Sequence, residues 1–337
     1  MKKIPENICI ATGIYPPEIG GPAEYARELF DSFLIQKYTV SVVTYGDLRK
    51  YPTGVRHILY FLKLFFDALF CDYIIALDTF SVGLPAVIFS KIFRKKIVLR
   101  VAGDFLWESF CERTRQEILL SQFYQAGRKL SLKEKMIFRL TKFVLRSVDM
   151  VVFSTDWQRK IMKKPYDLDL NKTKIIENFF PLVEMSPLQT VEPKIFLSPS
   201  RDTFIKNKKR LVEAFEKIKQ KYPEVVLDTD QVSHEVLLEK MSKSYAVIVN
   251  SFSEVSSNLV CDAIRSDLPI ILTSDNGLAE KLQNMVLSVD PFSVDDLVRN
   301  IEILLEPETY QNYKRNILLN SHSHSWDEIA QEFINLY

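Results

Sequence analysis

Glycine is scarce in this chain. Nine glycines among 337 residues, with none from 128 to 276, leave that long stretch without a glycine-rich phosphate cradle of the Walker or dinucleotide type. An anion site there must be built from side chains and helix termini. The four cysteines, Cys9, Cys71, Cys111 and Cys261, are scattered and form no CxxC pair, which argues against a disulfide scaffold or a cysteine zinc site and fits a reducing, cytoplasmic setting. The four histidines, His57, His234, His322 and His324, have no HExxH companion, and no GxSxG elbow is present, so no metal site is expected and a serine hydrolase is not suggested. Charge of one sign is missing too: 44 Lys and Arg face 43 Asp and Glu, which argues against a whole-molecule nucleic-acid footprint and leaves room only for local patches. No apolar run is long and clean. Near the N-terminus Pro5, Glu6 and Asn7 interrupt the only candidate export signal. The stretch 73–93 is about long enough to cross a bilayer, but contains Asp78, Gly83 and Pro85, and a buried strand followed by a helix opening near Pro85 accounts for it.

What is present is ordinary globular composition, 47% hydrophobic and 26% charged, in a chain long enough for two cores. Short apolar runs alternate with amphipathic segments, the pattern of parallel-sheet α/β domains. Strands are expected at 8–11, 40–44, 73–77, 97–101 and 150–153, then at 195–198, 225–227, 246–249, 270–272 and 286–289. Between them lie helices such as 23–34, where Ala26, Leu29, Phe30 and Phe33 share one face. The three prolines Pro181, Pro187 and Pro193 mark a linker. The expected organisation is a first domain at 1–185, a second at 190–318, and a closing helix within 319–337 that returns to the first domain. Two such domains present strand carboxyl ends to a common cleft, so site residues are sought just after strands.

Five segments qualify. GIYPPEIGGPAEYARELF, 13–30, follows a strand and opens a helix, with Gly20 and Gly21 where backbone approaches a ligand; a simple turn explains the same glycines. SPSRDTFIKNKKRLVEAF, 198–215, places Arg201 and Lys206 on a loop where both can converge on a diphosphate, the competing reading being a solvated basic face. NSFSEVSSNLVCDAI, 250–264, offers Ser253, Ser256 and Ser257 as caps for a helix from Asn258. Glu254 lies before that helix and Asp262 within it, either facing one ligand or serving as a cap-region acid and an ordinary helical acid. VLRVAGDFLWESF, 98–110, sets Asp104, Trp107 and Glu108 beyond a strand, suited to sugar binding, with a helix cap as the alternative for Asp104. The stretch 128–146 is basic and amphipathic, fit either for an anionic membrane surface or for packing on the core.

Together these segments resemble glycosyltransferase family 4, retaining sugar-nucleotide enzymes with two facing Rossmann-like domains, the GT-B fold. The resemblance runs over nearly the whole chain and is strongest in YPPEIGGPAEYARELF, VLRVAGDFLWESF and SFSEVSSNLVCDAIRSDLPIILTSDNGLAE. It implies that Arg201 and Lys206 hold a donor diphosphate, that Glu254 meets the donor sugar, and that Asp262, standing where the family has glutamate, meets the ribose. It further implies that Ser257, Asn258 and Leu259 bring helix-start groups to the phosphates, and that Gly20 and Gly21 form the first domain's glycine loop. A glycine normally follows the lysine; here Asn207 does, and asparagine tolerates a left-handed backbone. Many members carry a histidine where this chain reads Val101, Ala102, Gly103 and Asp104, so Asp104 is the candidate for that polar role. After Leu227 the sequence is short of about one αβ unit, on the order of 25 to 30 residues. The expected function is transfer of a hexose from a nucleoside-diphosphate sugar to a glycan or lipid-linked acceptor in envelope or polysaccharide synthesis. No metal or other cofactor and no nucleic acid are expected, and peripheral membrane contact would run through 128–146. The alternative is an inactive or weak GT-B-like binding or scaffold protein.

Overall fold

The computed structural model describes residues 4–125, 127–180, 182–183, 193–320 and 323–337. Most of the linker expected at 181–193 lies outside them. The chain divides into two compact units: unit 1 comprises Met1–Leu106, Arg128–Asn178 and Ser325–Tyr337, and unit 2 comprises Trp107–Gly127 and Phe179–His324.

In unit 1 the order is β1 (Asn7–Thr12), α1 (Gly21–Ile35), β2 (Thr39–Thr44), α2 (Thr53–Ala68), β3 (Tyr73–Ala76), α3 (Gly83–Phe93) and β4 (Lys96–Val101). Helix α4 (Phe105–Thr114) begins in unit 1 and from Trp107 is part of unit 2, as is α5 (Leu120–Phe123). The first unit resumes with α6 (Leu132–Ser147), β5 (Met150–Phe153), α7 (Asp156–Tyr166) and β6 (Thr173–Ile175). Its six strands, all parallel, lie in the order β2-β1-β3-β4-β5-β6. Ile8, Cys9, Ile10 and Ala11 of β1 are all fully buried, as a strand covered on both faces requires. Gly20, with φ 150°, precedes α1, and Pro22 falls in its first turn, where its missing N–H costs nothing. Helix α6 opens with a reciprocal Ser131–Glu134 cap.

Unit 2 runs through β7 (Lys194–Leu197), α8 (Lys208–Lys221), β8 (Val225–Asp228), α9 (His234–Met241), β9 (Ala246–Val249) and α10 (Asn258–Arg265). It continues with β10 (Ile270–Thr273), β11 (Val286–Val289), α11 (Val294–Leu305) and α12 (Pro307–Asn320). Five parallel strands lie in the order β11-β10-β9-β7-β8. Alternate residues of one strand enter opposite layers. Val247, Val249, Ile270 and Leu272 pack with Val260, Ile264, Met241 and Ile317. Ala246, Ile248 and Ile271 pack with Leu211, Phe215, Leu297 and Ile301. The second sheet thus has one strand fewer than the first, and the chain passes from β8 through the eight-residue α9 straight to β9.

The last helix, α13 (Trp326–Asn335), belongs to unit 1. Trp326 meets the Tyr25 ring edge-on, the Tyr73 hydroxyl donates to the Phe333 carbonyl at 2.9 Å, and the Ser32 hydroxyl donates to Asp327 at 2.7 Å. All ten strands expected from the sequence form. Strand β6 is an addition: its sequence TKI is short and polar, and it pairs on one side only, at the sheet edge.

One charge pair is sealed inside unit 2. Lys314 of α12 meets Asp267, between α10 and β10, at 3.0 Å, with side chains only 9% and 3% exposed. Burial pushes the Asp267 carboxyl above the ordinary range, and the Lys314 ammonium offsets part of that rise. Removing the lysine leaves a buried carboxylate alone, so Lys314→Met is expected to lower stability at neutral pH by about 3 kcal/mol in denaturant unfolding. A carboxyl raised in the folded state favours folding when protonated, so this loss should shrink as pH falls toward about 4 and grow as pH rises.

Candidate functional site

In unit 2 the strand order reverses direction at β7: the chain leaves β7 toward β8 on one side, while β9 lies on the other. The carboxyl ends of β7 and β9 therefore flank a topological switch point, where connections depart in opposite directions and leave a crevice. Arg201 and Lys206 come from the loop after β7, and Glu254 from the loop after β9.

The β7 loop closes in a short 3₁₀ turn, Phe204–Lys206, and then Asn207 takes a left-handed conformation, φ 54° and ψ 32°, before α8 begins. The asparagine keeps the turn a glycine would make. Its buried carboxamide also donates to the Asn250 carbonyl at 3.1 Å and to the Pro291 carbonyl at 2.6 Å, tying the loop to the ends of β9 and β11. The two loops are joined directly where Phe252 N donates to the Ile205 carbonyl at 2.8 Å. This framework brings the Lys206 ammonium to 2.5 Å from Glu254 Oε1, with both side chains largely shielded from solvent. The Ser251 hydroxyl donates to the same oxygen at 2.6 Å. The Glu254 backbone is fixed on both sides, its N–H donating to Asp275 O and its carbonyl accepting from Gly277 N.

Helix α10 starts at Asn258. Ser257 occupies the N-cap place in extended conformation without a capping bond from its hydroxyl. A helix beginning this way turns backbone amides and positive dipole toward an anion. Ser253, another cap candidate, is used elsewhere: its hydroxyl donates to Asp275 Oδ2 at 2.5 Å and accepts from Leu120 N at 2.8 Å. The basic run divides, for Lys206 faces Glu254, Arg210 pairs with Glu117 at 2.8 Å, and Lys209 and Arg201 are exposed. At the end of β8, burial would raise the Asp228 carboxyl. The bond from Lys240 at 2.7 Å and the Asp230 amide outweigh burial and hold the carboxyl below the ordinary range.

Asp262 lies on α10 and is buried, with His234 Nε2 at 3.1 Å from its Oδ1. His234 is the first residue of α9, the helix reached directly from β8. Sequence reasoning left this histidine unassigned. The structure thus gathers Arg201, Lys206, Glu254, Ser257, Asn258, Leu259 and Asp262 in unit 2. Gly20, Gly21 and Asp104 belong to unit 1, where the glycines open α1 after β1. Asp104, 4% exposed, sits between β4 and α4.

Reading the motifs also missed the segment 111–127, whose Glu112, Leu120 and Ser121 reach the loops of unit 2 and whose Glu117 reaches Arg210 on α8. One signal for it was available: Glu112 and Glu117 complement the basic run at 206–210.

The chain matches no protein-family model, and no curated protein matches it in sequence. Its fold is similar to that of several solved proteins. Sucrose-phosphate synthase from Thermosynechococcus elongatus aligns with a TM-score of 0.71 at 16% identity, over 98% of this chain and 98% of that one. Anabaena HepE in complex with UDP and glucose aligns with a TM-score of 0.68 at 16% identity, over 97% and 98% of the two chains. WaaG, a glycosyltransferase involved in lipopolysaccharide biosynthesis, aligns with a TM-score of 0.68 at 14% identity, over 98% of each. At these identities the likeness is one of fold: two Rossmann-like units of the GT-B class.

Asn207 combines backbone and side-chain roles, and these can be separated. Asn207→Gly keeps the left-handed turn and loses the bonds to Asn250 and Pro291; Asn207→Ala loses both features. In equilibrium unfolding the alanine variant is expected to cost about 3 kcal/mol, and the glycine variant about 1 kcal/mol less than that.

Proposed function

We propose that this chain is a retaining glycosyltransferase of the family 4 kind, moving a hexose from a nucleoside-diphosphate sugar to a glycan or lipid-linked acceptor in envelope or polysaccharide assembly. The observation that carries the reading is the Lys206–Glu254 pair, set at a topological switch point beside the start of α10. The complex of HepE with UDP and glucose, on the same fold, favours a uridine donor.

In this reading the diphosphate takes Lys206 from Glu254. Lys206, Arg201 and the amides of Asn258 and Leu259 meet the charge that grows on the departing group, which is the largest source of rate. Cations and amides supply that stabilisation, so the mechanism calls for no metal. Glu254, released from the lysine, accepts from sugar hydroxyls, and Asp262 is placed for the ribose. The sugar–phosphate C–O bond breaks as the acceptor oxygen bonds to the same face of the anomeric carbon. The acceptor proton passes to the leaving diphosphate oxygen. Gly20, Gly21 and Asp104 keep the roles expected from the resemblance, the glycines toward diphosphate and acceptor and Asp104 in the polar role of the family's histidine.

A second reading, a binding or scaffold protein on the same fold, draws support from one contact: His234 already occupies Asp262. Calorimetry against UDP-, GDP- and ADP-sugars separates the two. The enzyme reading expects a UDP-sugar to bind, Arg201→Ala and Lys206→Ala each to weaken it by about tenfold or more, and free UDP to appear once acceptor is added. Silence with every donor overturns it; binding without turnover favours the scaffold.

The proposed setting is the cytoplasmic face of a membrane. Among the described residues no helix is long and apolar enough to cross a bilayer. Surface contact is supported by α6, which exposes Leu132, Met136 and Phe143 together with Lys133, Lys135 and Arg139. The chain is expected to sediment with vesicles containing anionic lipid, to stay in solution with neutral ones, and to be released when salt shortens the Debye length to about 3 Å. A Leu132→Ser/Phe143→Ser variant should lose the association.

A further inference from the structure

The 3₁₀ turn that ends in Lys206 lacks a cap of its own. Thr203 stands at its N-cap place, but its side chain makes no capping hydrogen bond. The first amide of such a turn has no partner within it and must find one outside. That partner comes from far away in sequence: Glu112 Oε1 accepts from Phe204 N at 2.5 Å. A carboxylate on a turn amide is a charge-assisted bond, about twice as strong as a neutral one.

Glu112 is itself held. Arg115 pairs with its other oxygen at 2.9 Å, and the same guanidinium lies 5.2 Å from the centre of the Phe204 ring. Beyond Lys206 the loop is gripped again, where Arg210 donates to Asn207 Oδ1 at 3.2 Å and to Glu117 at 2.8 Å. The segment bearing both glutamates is anchored by buried Trp107, Phe110, Ile118, Leu120 and Phe123, and folded back by a bond from the Trp107 indole to the Ile118 carbonyl at 2.8 Å. It reaches the partner loop too: Leu120 N donates to Ser253, and Asp275, which accepts from Ser253, has its carbonyl on Glu254 N.

We propose that Glu112 is a positioning residue for the transfer reaction. It caps the Phe204 amide, and so fixes the turn that aims Lys206 at the departing diphosphate. The role rests on the donor-binding reading given above. Binding can tolerate a lysine on a loosened turn, because a long cation finds an anion from several directions. Turnover is less tolerant, because stabilisation is needed where charge develops.

The full-length chain is compared as wild type, Glu112→Ala and Glu112→Gln, with and without Lys206→Ala, by steady-state UDP release and by hydrogen exchange at the 204–207 amides. Glu112→Ala is expected to lower kcat about tenfold while the donor KM moves by less than about threefold. Glu112→Gln, whose amide oxygen still accepts from Phe204, should return kcat to within about threefold of wild type. On the Lys206→Ala background Glu112→Ala should cost nothing further, since the side chain it positions is gone. Exchange protection at Phe204 should be lost in the alanine variant and kept in the glutamine one. A Glu112→Ala chain as active as wild type, an equal fall on the Lys206→Ala background, or unchanged protection at Phe204 overturns the role. A wild-type chain that releases UDP from no donor instead overturns the functional reading on which the role depends.

Discussion

Parallel strands cannot be joined by a tight turn. Each must be followed by a crossover that returns the chain to the starting edge, so the loops at the carboxyl edge are free to differ from one another. In unit 2 this constraint places the chemistry. The loops after β7 and β9 depart in opposite directions from neighbouring strands, and Lys206 and Glu254 meet in the gap. Such loops receive no hydrogen-bond ladder, and every backbone group they bury needs a partner from elsewhere. The bond from Phe252 to Ile205, the Asn207 carboxamide, the link between Asp275 and Glu254, and the Glu112 cap are answers to that single requirement.

The scarcity of glycine becomes intelligible in the same terms. From 128 to 276, where glycine is absent, the described residues with positive φ are Asp167, Asn207 and Asp267. Short polar side chains tolerate this region better than other residues with a Cβ. Each also makes a tie that glycine could not. Asp167 pairs with Arg146, Asn207 joins the ends of two strands, and Asp267 holds Lys314. Within this stretch the left-handed corners are turned by residues that also bond.

The fold was largely legible in the sequence because both sheets are buried on two faces, and their strands read as apolar runs between amphipathic helices. Strand β6 was not legible: TKI at an edge carries no hydrophobic pattern. The left-handed turn at Asn207 was legible through the resemblance, which has a glycine at that place, because asparagine tolerates the same backbone. The junction of Lys206 with Glu254 was foreshadowed only by both residues following strands. The partnership of His234 with Asp262 joins two helices distant in sequence, and nothing local announces it. Least visible was the membership of 107–127 in unit 2. Its apolar residues read equally well as core of the unit that precedes it, and only the acids facing the basic run distinguish the two.

Helix α13 adds a consequence for the order in which the molecule is made. Tyr25, Ser32 and Tyr73 lie in the first quarter of the chain, yet their partners Trp326, Asp327 and Phe333 follow all of unit 2. A nascent chain leaving the ribosome therefore presents unit 1 with an open flank throughout the synthesis of unit 2. That flank includes the Tyr73 ring, fully buried once α13 docks. Unit 2 faces the reverse situation, because its segment 107–127 is already made before β7 appears. Translation thus supplies unit 2 with a ready-made brace, and leaves unit 1 to be closed last.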